Sequence, residues 1–233
     1  MTTPLDPQER QQEYWETAAS GDFMNAICDG VHDDRAFAAQ PTICLHPALK
    51  LDKTKRLLDL GCGVGRIVPI VAPLVREYVG VDISPGMLKL ARERNHNCDN
   101  ARFLHVKGDG HLPIEISSSY FEAAIAQLLF QHVTQSQTVN YAQSVLQSLK
   151  TDGVFLADFP KVSFYKKYGY THQSLLEIFP KDMLAELQSF SEIPSINPLI
   201  ARRGQDAYFL MKVTKASSKP GPDARPVDNA PIS

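Results

Sequence analysis

Asp59 stands two residues ahead of three glycines at alternate positions, Gly61, Gly63 and Gly65, in the stretch LLDLGCGVGRIVPI. Asp82 ends the run YVGVD about twenty residues on, and Asp109 sits between two glycines in VKGDGHLP. Glycines so placed let a strand-to-helix turn tighten and bring bare backbone against a ligand. A carboxylate closing the next strand can accept both hydroxyls of a ribose, and Asp109 can meet an exocyclic amine. The spacing departs from the dinucleotide fingerprint G-x-G-x-x-G, because the third glycine arrives one residue early. Asp59 would repel a pyrophosphate but suits a cationic ligand or an ammonium group. Together these residues describe an adenosine joined to a positively charged, amine-bearing tail.

Such residues must be held at the ends of neighbouring strands. From Arg56 onward short apolar runs alternate with helical stretches. RLLDL, YVGVD, RFLHV, FEAAIA and VFLADF read as strands; RIVPIVAPLV, SPGMLKLARER and SQTVNYAQSVLQSLK read as helices. Strands separated by helices need crossover connections, which predicts a mainly parallel sheet covered on both faces. The helix after Asp82 is sharply marked: Ser84 can cap it, Pro85 takes its first position, and Ile83 with Leu88 can staple it. QSLLEIFPKDMLAELQSF is expected to be a helix broken at Pro180, and AYFLMKV a last strand.

Charge and composition narrow the class. With Lys plus Arg at 24 against Asp plus Glu at 26, the net charge of -2 creates no field that draws nucleic acid. Cys28, Cys44, Cys62 and Cys98 form no C-x-x-C pair, so structural zinc and a disulfide scaffold lack support and a cytoplasmic location is expected. No apolar stretch reaches the length of a membrane span, and MTTPLDPQERQQ is too polar for a signal peptide.

LLDLGCGVGRI, YVGVDISPGMLKLARER, VKGDGHLP, FEAAIAQLLFQHV and LKTDGVFLADF resemble, in order and spacing, the motifs of class I S-adenosylmethionine-dependent methyltransferases over roughly residues 55 to 160. The resemblance implies an α/β, Rossmann-like, doubly wound seven-stranded sheet of order 3-2-1-4-5-7-6, strand 7 antiparallel, with helices on both faces. It implies a helical lid over 1–50, an S-adenosylmethionine-binding domain over 51–214 and, from composition, a disordered tail over 215–233. By position, Asp59, Gly61, Cys62, Gly63, Gly65 and Gln127 would lie along the methionine portion, with Arg66 pairing the cofactor carboxylate. Asp82 would hold the ribose, Ile83 and Met87 would pack near ribose and adenine, and Asp109 with Gly110 would flank the adenine.

Methyl transfer from a sulfonium needs the nucleophile in line with the sulfur, so positioning outweighs any general base. His132, in LLFQHVT, is the one candidate base. Tyr14, Trp15, His132, Tyr165 and Tyr170, with Phe164 and Tyr168, are expected around the acceptor. Ala126 and Gln127 offer no carboxylate for magnesium, so no metal is expected. The DPPY or NPPY motif of nucleic-acid amino-methylating enzymes is missing, as is the Pro-Cys nucleophile of cytosine enzymes. These readings favour transfer to an O or N atom of a small organic molecule. A protein N-terminal amine methyltransferase, a non-catalytic cofactor-binding subunit and a nicotinamide-dependent oxidoreductase stand as alternatives.

Overall fold

The structure, a computed structural model, describes residues 6–21, 43–163, 169–179, 184–188 and 207–216. One sheet holds β1 (Arg56–Leu60), β2 (Glu77–Asp82), β3 (Ala101–His105), β4 (Phe121–Ala126), β5 (Leu149–Pro160), β6 (Leu184–Gln188) and β7 (Tyr208–Thr214). Their order is β3-β2-β1-β4-β5-β7-β6; β1 to β5 pair in parallel, and β7 runs antiparallel to both its neighbours. The described α-helices are α1 (Pro7–Ser20), α2 (Val68–Val71), α3 (Pro85–Arg94), α4 (Gln135–Ser148) and α5 (His172–Ile178).

Alternation along the strands divides their side chains between two cores. Leu58, Leu60, Val79, Val81, Ala124, Ala126, Phe155 and Ala157 pack with Tyr141 and Val145 of α4 and Leu175 of α5. Leu57, Tyr78, Ala123, Ile125 and Leu156 pack on the other side with Ile43, Leu49, Val68 and Val71, and with Leu88 and Ala91 of α3. Both faces of the parallel strands are therefore dry, which is why these runs are apolar almost throughout rather than alternating with polar residues.

Local chemistry sets the helix starts at the carboxyl edge of the sheet. Ser84 caps α3 by accepting the Met87 N–H, with Pro85 at the first position. Thr134 and Gln137 form a capping box on α4. Two expectations change. The helix expected over residues 66–75 shrinks to α2 and a 3-10 turn at Ala72–Leu74, because Pro73 has no N–H to continue the ladder. The stretch beyond Pro180, expected as helix, contains β6, which pairs with β7 from Leu184↔Thr214 to Gln188↔Leu210.

The amino edge of the sheet is closed by ion pairs. The Glu77 carboxylate accepts from Arg102 Nε at 2.7 Å and Tyr120 Oη at 2.6 Å and lies 3.6 Å from Arg56 Nε. The Arg56 guanidinium also covers the Tyr120 ring, 4.4 Å from its centroid. Glu122 accepts the Arg56 N–H at 2.7 Å and pairs with the Lys150 ammonium.

Candidate active site

At the opposite edge, the connections after β1, β2 and β4 enclose, with α1, a cavity of about 990 Å³ including its mouth. Its wall brings together Gly61, Cys62, Gly63, Arg66, Asp82, Ile83, Met87 and Gln127 of the residues expected at the cofactor, and Trp15 and His132 of those expected at the acceptor.

Two of the three glycines do different jobs. Gly63 has φ +51°, and a Cβ built on it would meet no atom within 4 Å, so its bare backbone faces open space. Its N–H donates to Asp82 Oδ2 at 2.9 Å, while Asp82 Oδ1 accepts the Ser84 N–H at 3.0 Å. Both carboxylate oxygens are thus fixed at the cavity wall, each keeping acceptor capacity for a hydroxyl. Burial raises the pKa of this carboxyl against the Ser84 and Gly63 hydrogen bonds. Gly65 instead serves packing: a Cβ there would come 2.6 Å from Asn95 Nδ2, and the residue is outside the cavity wall.

Asp59 lines a smaller recess next door, shared with Gly61, Cys62, Arg66 and Gln127. It accepts the Tyr78 hydroxyl at 2.5 Å. Burial pushes its carboxyl up to about 7 against that bond and the Arg66 charge, and the Asp82 charge adds to the rise. Asp158, near the end of β5, completes this group and was not singled out in the sequence. It accepts the Leu128 N–H at 2.6 Å, holding Leu128 at φ +57°, a left-handed conformation costly for a branched residue. Burial brings Asp158 to about 7 as well, opposed by the Leu128 hydrogen bond and the Arg66 charge. Its signal was available: a lone acid inside the apolar run VFLADF, at a strand's carboxyl end like Asp59 and Asp82. Gln11, Leu128 and Tyr141 also line the cavity, with no motif to announce them.

Several expected residues lie elsewhere. Asp109 and Gly110 are not in the cavity wall: Asp109 accepts the N–H of His111, and Gly110, at φ +91°, sits where a Cβ would strike Asn140. Asn140 Nδ2 and Gln137 Nε2 bond the carbonyls of Asp109 and Gly108, locking that loop to α4. Tyr170 is buried in the core with its hydroxyl 2.7 Å from Thr138 Oγ1, and does not open on the cavity. Tyr14 is exposed and meets Trp15 edge-on. Phe164, Tyr165, Tyr168 and residues 217–233 of the tail fall outside the described residues, while Lys215, expected in the tail, is bonded to the sheet through Gly153 and Asp152.

Helix α1 closes one side. Gln11 and Trp15 line the cavity, and Glu16 Oε1 accepts from Ser84 Oγ at 2.6 Å and from the Gly86 N–H at 3.0 Å, placing a carboxylate at the start of α3. The Trp15 ring stands edge-to-face on His132, centroids 5.1 Å apart. His132 precedes the Thr134 cap of α4, and burial pushes its pKa below the usual imidazole range.

A parallel sheet of this order, with a glycine turn after β1 and a buried carboxylate at the end of β2, is a Rossmann-like arrangement with its cavity at the carboxyl edge of the strands. Residues 57–153, a little under half of the chain, match the methyltransferase-domain family. The chain is 24% identical over 164 residues to the probable S-adenosylmethionine-dependent methyltransferase CRG1 of Saccharomyces cerevisiae, covering 64% of this chain and 55% of that protein. The chain spans about half the length of the curated relatives it matches. Among solved structures it is similar to the Haemonchus contortus phosphoethanolamine N-methyltransferase 1 in complex with phosphoethanolamine and S-adenosylhomocysteine. That match has a TM-score of 0.67 at 14% identity and covers 94% of this chain and 51% of that one. The DhpI complex with S-adenosylhomocysteine matches with a TM-score of 0.62 at 16% identity, over 92% and 99% of the two chains. The residues present fit such a cofactor: the open face of Gly63, the Asp82 oxygens, and apolar Ile83 and Met87 beside them.

Among the described residues no helix is long and apolar enough to cross a membrane, and no group of three or more His, Cys, Asp or Glu could hold a metal.

Proposed function

We propose that the protein is an S-adenosylmethionine-dependent methyltransferase acting on an O or N atom of a small organic molecule. The observation that carries this reading is the shared wall of one cavity. Asp82 and Gly63, suited to a nucleoside, face the same space as Trp15 and His132, which no nucleoside requires. When bound, the cofactor supplies a methyl group already activated by a sulfonium. The chain's own work is then to bind, orient and exclude water, and fixing two reactants in line can supply about 7–11 kcal/mol of rate acceleration.

In this reading Asp82 holds the ribose hydroxyls, and Ile83 and Met87 pack against the nucleoside. Arg66 and Asp59 serve the carboxylate and ammonium of the methionine portion. Charge supports that pairing, since Arg66 offers a fork to an anion and Asp59 a counter-charge to a cation. Helix α1 is the lid, with Trp15 as an aromatic wall over the acceptor. A small acceptor is supported by phosphoethanolamine and geranyl diphosphate in similar solved structures.

Incubation with methyl-labelled cofactor and a metabolite extract tests the reading. A small product heavier by one labelled carbon is expected. S-adenosylhomocysteine binding without any labelled product would reduce the protein to a cofactor-binding subunit, and label in protein N-termini would move the acceptor.

A further inference from the structure

The His132 imidazole is tied through Gln131, a neighbour on the same cavity wall, to the far strands. Tyr208, the first residue of β7, donates its phenolic proton to Gln131 Oε1. With its carbonyl so engaged, Gln131 presents Nε2 to His132 Nε2 at 3.0 Å. An amide nitrogen donates and does not accept, so His132 Nε2 is the acceptor of this pair. A neutral imidazole has one accepting and one donating nitrogen, which leaves the ring proton on Nδ1.

We propose that Tyr208 and Gln131 are positioning residues that hold His132 as its Nδ1–H tautomer, so that His132 meets the methyl acceptor as a hydrogen-bond donor and not as a general base. The ring's basic lone pair is spent on Gln131. The groups facing the imidazole are the Trp15 indole from α1, the Gln131 amide from its own loop and, through it, the Tyr208 phenol from β7. Burial keeps the ring neutral by lowering its pKa. No other described wall residue is an obvious substitute base. The acceptor capacity that Asp82 keeps beyond its two backbone N–H bonds is, in the proposed function, taken by the ribose hydroxyls, and burial pushes the Tyr141 phenol well above its ordinary value. The acceptor atom must therefore arrive with its lone pair already available. The inference rests on the methyl-transfer reading only for what His132 meets; the tautomer is a property of the chain itself.

Long-range proton–nitrogen correlation NMR on the full chain with nitrogen-labelled histidine tests it near neutral pH. His132 is identified among the seven histidines by the signal lost in His132→Asn. The expected wild-type spectrum has a protonated Nδ1 and an unprotonated Nε2. Gln131→Glu puts an accepting oxygen where the amide donated and is expected to invert the tautomer; Tyr208→Phe frees the amide to turn and is expected to give both forms. An Nε2–H ring in the wild type overturns the proposal, even if neither variant folds, and so does an unchanged tautomer in a folded Gln131→Glu. Titration with S-adenosylhomocysteine keeps the two readings apart: failure to bind removes the methyltransferase reading and leaves the tautomer standing.

Discussion

Glu77 and Glu122 at the amino edge of the sheet, and Asp59, Asp82 and Asp158 at the carboxyl edge, belong to the same set of parallel strands but keep opposite company. The glutamates face Arg56, Arg102 and Lys150 and are also hydrogen-bonded by Tyr120 or a backbone N–H. Desolvation pushes the Glu122 carboxyl up, but the Lys150 hydrogen bond, the Arg56 N–H and both cationic charges outweigh it, so it ends below the usual range. The aspartates are buried with backbone N–H groups or one phenol for hydrogen bonds, Arg66 near Asp59 and Asp158 and His105 near Asp82, and burial outweighs these so that all three carboxyls are raised. One edge matches its charges and contributes to stability. The other leaves carboxylates under-compensated, as a site awaiting a polar ligand does.

The largest test of that contrast is pH. Asp158 has a folded value of about 7 against an ordinary 3.8. The unfolded chain sheds this proton near pH 4, the folded chain only near pH 7. The group's contribution to stability is therefore complete below about pH 4 and is lost as pH rises through about 7. Asp158→Asn keeps an acceptor for Leu128 without the charge. Urea denaturation is expected to find it more stable than wild type by roughly 2–4 kcal/mol near pH 8, with little difference near pH 4. A variant less stable at both would break the comparison.

Next comes ligand affinity. Asp82→Ala is expected to weaken S-adenosylhomocysteine binding more than tenfold in calorimetry with the fold intact, a change of about 1.4 kcal/mol or more. Glu122→Gln sharpens the contrast from the other edge. It is expected to lower stability by up to about 1 kcal/mol at neutral pH, with the difference vanishing as pH falls below the ordinary glutamate range, and to leave ligand affinity unchanged. The smallest effect is expected from Glu16→Ala: about threefold faster release of S-adenosylhomocysteine in stopped-flow fluorescence of Trp15, the only tryptophan in the chain.

Sequence made the parallel core legible because its strands are apolar on both faces and its helix α3 carries a cap and a proline at fixed positions. Asp82 and the glycine turn stood out for the same reason: they interrupt those runs at the strand ends, and the structure brings Gly61, Gly63 and Asp82 to one cavity wall. Residues 184–188 were not legible. Leu, Ala, Glu and Gln are good helix formers, and only pairing with β7, distant in the chain, makes LAELQ a strand. The loop at Asp109 and Gly110 lies apart from that cavity wall for a reason the sequence does not show. Its spacing repeats the strand-end pattern, but Gln137 and Asn140 on α4 bind its carbonyls, and no local pattern announces that contact. Asp158 went unremarked because the apolar run around it was read for its strand alone.

Glu16 ties α1 to the start of α3, gripping Ser84 and Gly86 just beyond the Asp82 carboxylate. In the proposed function, a spent nucleoside leaving past Trp15 would do so beside a helix held by that grip. If the proposed function holds, the tempo of repeated turnover would depend on how readily this amino-terminal helix lets go, and a single carboxylate clasp would act as a timer set apart from the making and breaking of bonds to carbon.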